Sequence, residues 1–156
     1  MTTEMMTTAP APKAPPALIA RLVEQHGAQW IGAQAGADFL AAPGDCALLI
    51  AGDPVRFPEG LDVAVVLPEL QRAFNGRFRI AVAEAASEDL LANRYGATRR
   101  PAVVFLRDGG FVATVSGMLD WDEYLKEVAG ALALPVSRAP GIGIPVVSST
   151  AASGCQ

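Results

Sequence analysis

The segment from Pro101 to Leu132 constrains the fold more than any other part of the chain. A proline heads the apolar run 102–106, which has the length and the β-branched content of a buried strand. Asp-Gly-Gly at 108–110 predicts a tight turn, and the apolar residues of 111–116 predict a second strand antiparallel to the first. A helical pattern starts near Asp120. A hairpin followed by a helix belongs in a larger sheet, so the sequence predicts an α/β domain.

The final helix is predicted to begin with a capping box formed by Asp120 and Glu123, whose side chains would satisfy free backbone N–H groups. Apolar residues follow at helical spacing and predict a side that faces the core. They are Trp121, Tyr124, Leu125, Val128, Ala129 and Leu132.

Earlier in the chain, apolar patterning predicts further strands and helices that alternate. They are a helix at 17–26, an edge strand at 30–31, a short helix at 38–41, a strand at 46–51, a helix from Asp62, a strand at 78–83, and a helix that Ser87 caps and Leu90, Leu91 and Tyr95 attach to the core. This order predicts a mixed central sheet with helices on both faces.

Composition divides the chain into three parts. Residues 1–16 are rich in Pro, Ala and Thr and predict a disordered lead, residues 17–134 predict one domain, and residues 135–156 predict a flexible tail rich in Pro, Gly and Ser. No apolar run approaches the roughly 18 residues of a membrane span, and the N-terminus lacks the pattern of a signal peptide. These features predict a cytoplasmic protein.

Few residues of the chain are suited to catalysis or to metal binding. The two cysteines, Cys46 and Cys155, have no partner nearby in sequence, and His26 is the one histidine. This pattern argues against a disulfide framework, a zinc site and a redox dithiol, so we expect no cofactor and no metal. The net charge of −4 disfavours nucleic acid and favours a basic partner, although it also serves solubility.

Three features resemble the thioredoxin fold. The segment 95–110, Tyr-Gly-Ala-Thr-Arg-Arg-Pro followed by an apolar strand and Asp-Gly-Gly, is similar to the thioredoxin segment that carries a cis-proline. The resemblance implies a cis bond between Arg100 and Pro101. Pro68 matches the kink proline of the helix after the active-site loop, and Gly117 matches a glycine after the last strand.

The resemblance also shows where a redox dithiol would lie. Counting from the preceding strand gives Val55 and Pro58, and counting back from the kink proline gives Gly60 and Val63. Neither pair contains a cysteine. Thiol exchange requires a thiolate nucleophile, so the sequence predicts a protein without oxidoreductase activity.

A thioredoxin-like body without these cysteines, with the loop 52–59 and Arg-Arg-Pro at 99–101, resembles the HupG/HyaE-type hydrogenase expression and formation proteins over residues 17–134. The resemblance implies a non-catalytic cytoplasmic chaperone in maturation of an uptake [NiFe] hydrogenase. It implies binding of the hydrogenase small subunit, or of its twin-arginine signal peptide, before export. Other hydrogenase accessory proteins are further candidate partners.

We infer a partner-binding site from the loop and from the residue before Pro101, whose backbone would pair with an extended peptide. The site comprises Asp53, Arg56, Phe57, Pro58, Glu59, Asp62, Arg100 and Pro101. Its acids, with Glu84 nearby, would attract a basic segment. The positive charges of Arg56, Arg99 and Arg100 argue against a groove that is acidic throughout. Two alternatives stay open: a redox-inactive interaction module in another assembly, and an enzyme that uses Cys46 as a lone thiol.

Overall fold

The computed structural model describes residues 14–140. Its elements are α1 (Ala17–Gln25), β1 (Gln29–Ile31), α2 (Ala37–Ala41), β2 (Asp45–Ile50), α3 (Glu59–Ala73), β3 (Phe78–Ala83), a 3₁₀ turn (Ala85–Ser87), α4 (Glu88–Tyr95), β4 (Ala102–Arg107), β5 (Gly110–Ser116) and α5 (Trp121–Ala133). Within these residues no helix is both long and apolar enough to cross a membrane.

The five strands form one sheet in the order β1-β3-β2-β4-β5. β3 is parallel to both β1 and β2, whereas β4 is antiparallel to its neighbours β2 and β5. This is the mixed sheet that the sequence predicts. Strands β1, β2, β3 and β5 therefore finish at the end of the sheet where β4 begins, which we call the carboxyl end.

Helices cover both faces of the sheet and divide the core into two clusters. On one face Leu22 of α1, Leu67 of α3 and Val128 of α5 pack against the sheet. On the other face Leu40 of α2 and Leu91 of α4 pack against it. Because the strands are buried on both sides, β2 is apolar at every position from Cys46 to Ile50.

Helix α3 starts three residues before the Asp62 that the sequence predicts as its cap. The backbone of Pro58 is already helical, at φ −61° and ψ −22°, and proline is well suited to the start of a helix because its φ is fixed near this value. Glu59 is an acidic residue in the first turn, where a negative charge is favourable. Asp62 therefore lies within the first turn rather than ahead of it.

The predicted side-chain capping of α4 and α5 is wrong. Ser87 and Asp120 do occupy the N-cap positions of α4 and α5, but neither side chain makes a capping hydrogen bond, so the predicted capping box is not formed. Trp121 and Leu90, predicted in the core, are 43% and 46% exposed. Both residues lie in the first turn of their helices, ahead of the turns that pack on the sheet. Ala129 of α5 is also exposed.

The turn of the β4–β5 hairpin is confirmed. Arg107 pairs with Gly110, which leaves Asp108 and Gly109 as a two-residue turn with φ values of 53° and 85°. Positive φ at both positions is the requirement of the turn that matches strand twist. Asp108 also accepts a 2.7 Å hydrogen bond from the backbone N–H of Gly44.

The chain after α5 lies along the hairpin. Arg107 donates hydrogen bonds to the carbonyl oxygens of Leu132 and Leu134, and the backbone N–H of Ser137 donates to Phe111 O at 2.7 Å. The segment 134–140 reaches Gly96, at the end of α4. Residues 1–13 of the predicted lead and 141–156 of the predicted tail lie outside the described residues.

Candidate functional site

Loops from three parts of the chain meet at the carboxyl end of the sheet. Ile50 pairs with Ala102, and Ala102 pairs with Ser116, so three chain segments lie side by side there. They are the loop 52–58 after β2, the residues 99–101 before β4, and the residues 117–120 after β5. In a sheet with parallel strands this end is the usual place for a ligand.

The bond between Arg100 and Pro101 is cis, as the resemblance implies. Pro101 is buried, and its carbonyl oxygen accepts a 2.8 Å hydrogen bond from the backbone N–H of Gly117. Its side chain therefore offers little surface to a partner. Two different surfaces lie at this end of the sheet, one on the side of α4 and one on the side of α5, because these helices pack on opposite faces.

The loop after β2 is held by its own side chains. The carboxylate of Asp53 accepts hydrogen bonds from the backbone N–H groups of Val55 and Arg56 at 3.1 and 3.0 Å. The ring of Phe57 lies over Gly52, whose φ of +86° suits glycine, and a Cβ at Gly52 would come within 2.7 Å of that ring. The Asp53 carboxylate thus serves the shape of the loop.

Glu88, which sequence analysis did not include in the site, is a buried carboxyl beneath this loop. It is 8% exposed, and its Oε2 accepts a 3.0 Å hydrogen bond from the backbone N–H of Gly52. Burial raises the pKa of Glu88, and the hydrogen bond from Gly52 and the charge of Arg100 oppose that rise. Glu88 joins the first turn of α4 to the loop.

The raised pKa of Glu88 predicts a pH-dependent stability difference. Since the folded state binds the proton more tightly than the unfolded state, the carboxyl stabilises the fold at acidic pH, and this contribution is lost as pH rises through the folded pKa. Glu88→Gln keeps an oxygen acceptor for Gly52 but never ionises. We expect this variant to gain stability relative to the unmodified protein as pH rises from 4 to 8 in urea unfolding.

A second variant distinguishes the titration of Glu88 from its hydrogen bond. Glu88→Ala removes the acceptor and leaves the buried Gly52 N–H without its partner, so it should be less stable than Glu88→Gln at every pH. A Glu88→Gln variant whose stability runs parallel to that of the unmodified protein across this pH range would contradict the prediction.

The surface on the side of α4 is an open groove of about 700 Å³, which we call the basic groove. It is lined by Arg56, Phe57, Asp89, Ala92, Asn93 and the segment 96–100. Arg100 bonds Asp89 at 2.7 Å, and the Arg56 guanidinium lies 5.3 Å from the centre of the Phe57 ring. The three arginines and one acid among its described lining residues give this groove a positive charge within an acidic protein.

The surface on the side of α5 is apolar and acidic, and we call it the acidic side. We group under this name Glu59 and Asp62 from the first turn of α3, Met118 from the segment after β5, and Trp121, the first residue of α5. Tyr124 connects its parts, since its hydroxyl donates a 2.7 Å hydrogen bond to Gly117 O and lies 3.8 Å from Met118 Sδ. Burial raises the pKa of Tyr124, and the nearby charge of Glu59 adds to the rise. Met118 and Trp121 are 36% and 43% exposed.

The structure therefore divides the inferred site in two. Arg56, Phe57 and Arg100 come together in the basic groove, whereas Glu59 and Asp62 lie in the first turn of α3. Sequence analysis missed Asp89 and Asn93, which it treated only as part of a helix, and Met118. It assigned Trp121 to the core. Exposure of a tryptophan cannot be read from helical spacing alone. Pro58 is exposed beside Arg56 in the loop, and Glu84 lies near Gly32 after β1.

Cys46 is unsuited to thiol chemistry. Its side chain is completely buried in β2, and burial raises its pKa to about 11 against the opposing effect of Arg79. The thiol stays protonated at neutral pH, whereas the thiolate is the nucleophile. Cys155 lies outside the described residues. Within residues 14–140, no three His, Cys, Asp or Glu side chains are grouped so that they could hold a metal ion.

Comparison with known proteins agrees with this architecture. A solution structure of reduced desulfothioredoxin from Desulfovibrio vulgaris Hildenborough is similar to the chain, with a TM-score of 0.53 at 21% identity over 66% of the chain and 96% of that structure. This likeness shows the fold, which is thioredoxin-like as predicted.

Residues 18–124 match the family described as Hydrogenase-1 expression protein HyaE. The chain belongs to the HyaE family. Two relatives are named hydrogenase expression/formation proteins. HoxO of Cupriavidus necator is 59% identical over 161 residues, which cover all of both chains. HupG of Bradyrhizobium diazoefficiens is 33% identical over 136 residues, which cover 85% of this chain and 92% of HupG.

Membership of the HyaE family gives the chain a role in hydrogenase expression and formation. It confirms the family resemblance seen in the sequence. The matched residues 18–124 include both surfaces at the carboxyl end, from Asp53 to Trp121.

Proposed function

We propose that this HyaE-family chain is a non-catalytic cytoplasmic chaperone in maturation of a [NiFe] uptake hydrogenase. In this role it binds the hydrogenase small subunit, or the twin-arginine signal peptide of that subunit, before export. The observation that carries the proposal is the acidic side, where Met118 and Trp121 are exposed and the first turn of α3 supplies the carboxylates of Glu59 and Asp62. A twin-arginine signal peptide combines basic and apolar residues, so this surface complements it in both respects.

The two kinds of residue would contribute differently to binding. A partly exposed tryptophan at an interface supplies a large apolar contact, and such anchors often dominate the binding energy. Exposed carboxylates act mainly on the association rate and on specificity, and their effect is screened by salt. We therefore expect Trp121 to control the affinity for the signal peptide and the two acids to control the salt dependence of that affinity.

The test is titration of the full chain with a synthetic signal peptide of the hydrogenase small subunit. Trp121→Ala should weaken binding by roughly tenfold or more, as expected for an interfacial anchor. Glu59→Gln combined with Asp62→Asn should weaken binding several-fold at low salt and reduce its salt dependence. Amide variants are preferable to lysine because both acids lie in the first turn of α3, where a positive charge would destabilise the helix.

The matched control is Glu24→Gln combined with Glu127→Gln. These two acids are exposed on α1 and α5 away from the carboxyl end, and the double variant removes the same total charge. It should leave affinity nearly unchanged. Equal losses for the two double variants, or binding that ignores both salt and Trp121, would show that the signal peptide does not use the acidic side.

A further inference from the structure

The basic groove is a second recognition surface with the opposite charge. Arg56, Arg99 and Arg100 all line it, and Asp89 is the one acid among the lining residues that the structure describes. Arg100 already bonds Asp89, whose side chain is 90% exposed. Among residues 14–140, no carboxylate lies within ion-pair distance of the Arg56 or Arg99 guanidinium. Two of the three arginines therefore have their charge available to a ligand.

Backbone groups in the wall of the groove are also available. Within the described part of the chain, the backbone N–H and C=O groups of residues 98–100 make no backbone–backbone hydrogen bond. Unpaired backbone groups in a row can pair with an extended polypeptide. A small anion would bind the guanidinium groups but would leave the backbone N–H and C=O groups of residues 98–100 unpaired. The wall therefore favours a peptide over a free phosphate or carboxylate.

The floor of the groove suits the same kind of ligand. Phe57 is partly exposed and lines the groove together with the largely buried Ala92 and Ala97, and Asn93 supplies a side chain that both donates and accepts hydrogen bonds. The fixed planar fork of arginine binds carboxylates with two parallel hydrogen bonds. The groove thus combines charge, backbone and apolar contacts that an acidic segment of a protein would satisfy together.

From these features we infer that the basic groove binds an extended acidic segment of a partner protein, separately from the ligand of the acidic side. The two surfaces lie at the same end of the sheet, on the sides of α4 and α5, so one partner with a basic segment and an acidic segment could contact both at once. The inference goes beyond the proposed function. It concerns different residues, and it holds or fails whatever binds at Glu59 and Asp62.

The experiment measures binding of a fluorescein-labelled peptide of nine residues with four Asp or Glu, and of its Asn/Gln counterpart, to the full chain. We expect the acidic peptide to bind and its amide counterpart not to bind. Combining Arg56→Gln, Arg99→Gln and Arg100→Gln should weaken binding roughly tenfold or more, because charge-assisted contacts are lost. Asn93→Trp, which fills the groove but keeps its charge, should weaken binding similarly.

The control triple variant combines Arg21→Gln, Arg72→Gln and Lys126→Gln, which removes the same charge from exposed positions on α1, α3 and α5. It should bind as the unmodified protein does, and circular dichroism should show that every variant is folded. Equal losses in both triple variants would mean non-specific attraction and would overturn the inference. The inference would also be overturned if Asn93→Trp bound the acidic peptide as the unmodified protein does, if the acidic peptide did not bind at all, or if pyrophosphate at equal concentration displaced it.

Discussion

Replacing Gly60 with alanine is expected to lower the free energy of unfolding by about 3 kcal/mol, the upper part of the range for overpacked core sites. Gly60 lies in the first turn of α3, against the end of β2. A Cβ there would lie 2.5 Å from the carbonyl oxygen of Ala51 and 3.1 Å from its carbonyl carbon. Because these atoms belong to the backbone, no side chain can rotate away to make room, and α3 would have to shift.

Gly130→Ala is the matched control for this substitution. Gly130 lies inside α5, and a Cβ there would meet no atom within 4 Å. The same change of residue should therefore raise stability by about 1 kcal/mol, the helix-propensity difference between glycine and alanine. Urea unfolding followed by circular dichroism measures both variants. A Gly60→Ala variant as stable as the unmodified protein would show that α3 does not press against β2.

Replacing Arg107 with methionine should cost about 2 kcal/mol, the scale of a lost hydrogen bond to a charged group. Its Nε donates to Asp45 Oδ1 at 2.6 Å, and its Nη2 donates to Leu132 O at 2.9 Å. Its loss would leave the largely buried Asp45 carboxylate with Arg77, at 3.5 Å, as its ion-pair partner. It would also release the carbonyl oxygen of Leu134, whereas that of Leu132 would keep a 3.3 Å hydrogen bond from Arg77.

Arg72→Met provides the comparison, since Arg72 forms an ion pair with Glu69 while both side chains are about 60% exposed. Exposed pairs of this kind contribute well under about 1 kcal/mol. The two arginine variants should therefore differ clearly in urea midpoint at the same slope. Similar midpoints would mean that the Arg107 contacts add no more to stability than a surface ion pair does.

Most of the fold was predictable because its signals are local. The strand at 78–83 and the turn at Asp108-Gly109 follow from short apolar runs and from residues that tolerate positive φ. The start of α3 was predicted too late. Asp62 is a residue type that often caps helices, but Pro58, whose fixed φ suits a helix start, comes earlier in the chain. Trp121 was misplaced because periodicity assigns a residue to one side of a helix and cannot show whether the sheet extends beneath it.

The candidate site was only partly predictable for a different reason. The residues of the loop and of the Arg-Arg-Pro segment were identified from sequence, but their division between two surfaces depends on which helix flanks each one. Asp89 and Asn93 approach Arg100 only because α4 packs across the sheet face on that side. Contacts between residues on different secondary-structure elements leave no pattern in a single sequence. Glu88 likewise gives no local sign that its carboxyl reaches Gly52.

The segment after α5 has a consequence for how the molecule avoids unwanted self-association. A sheet is most vulnerable at its outermost strands, where free backbone groups can recruit another chain. The hydrogen bond from Ser137 to Phe111 covers part of β5, and β1 at the opposite edge is only three residues long. The open ladder of β1 is therefore short, and the segment after α5 occupies one end of β5, so both borders leave less free backbone through which copies of the protein could pair.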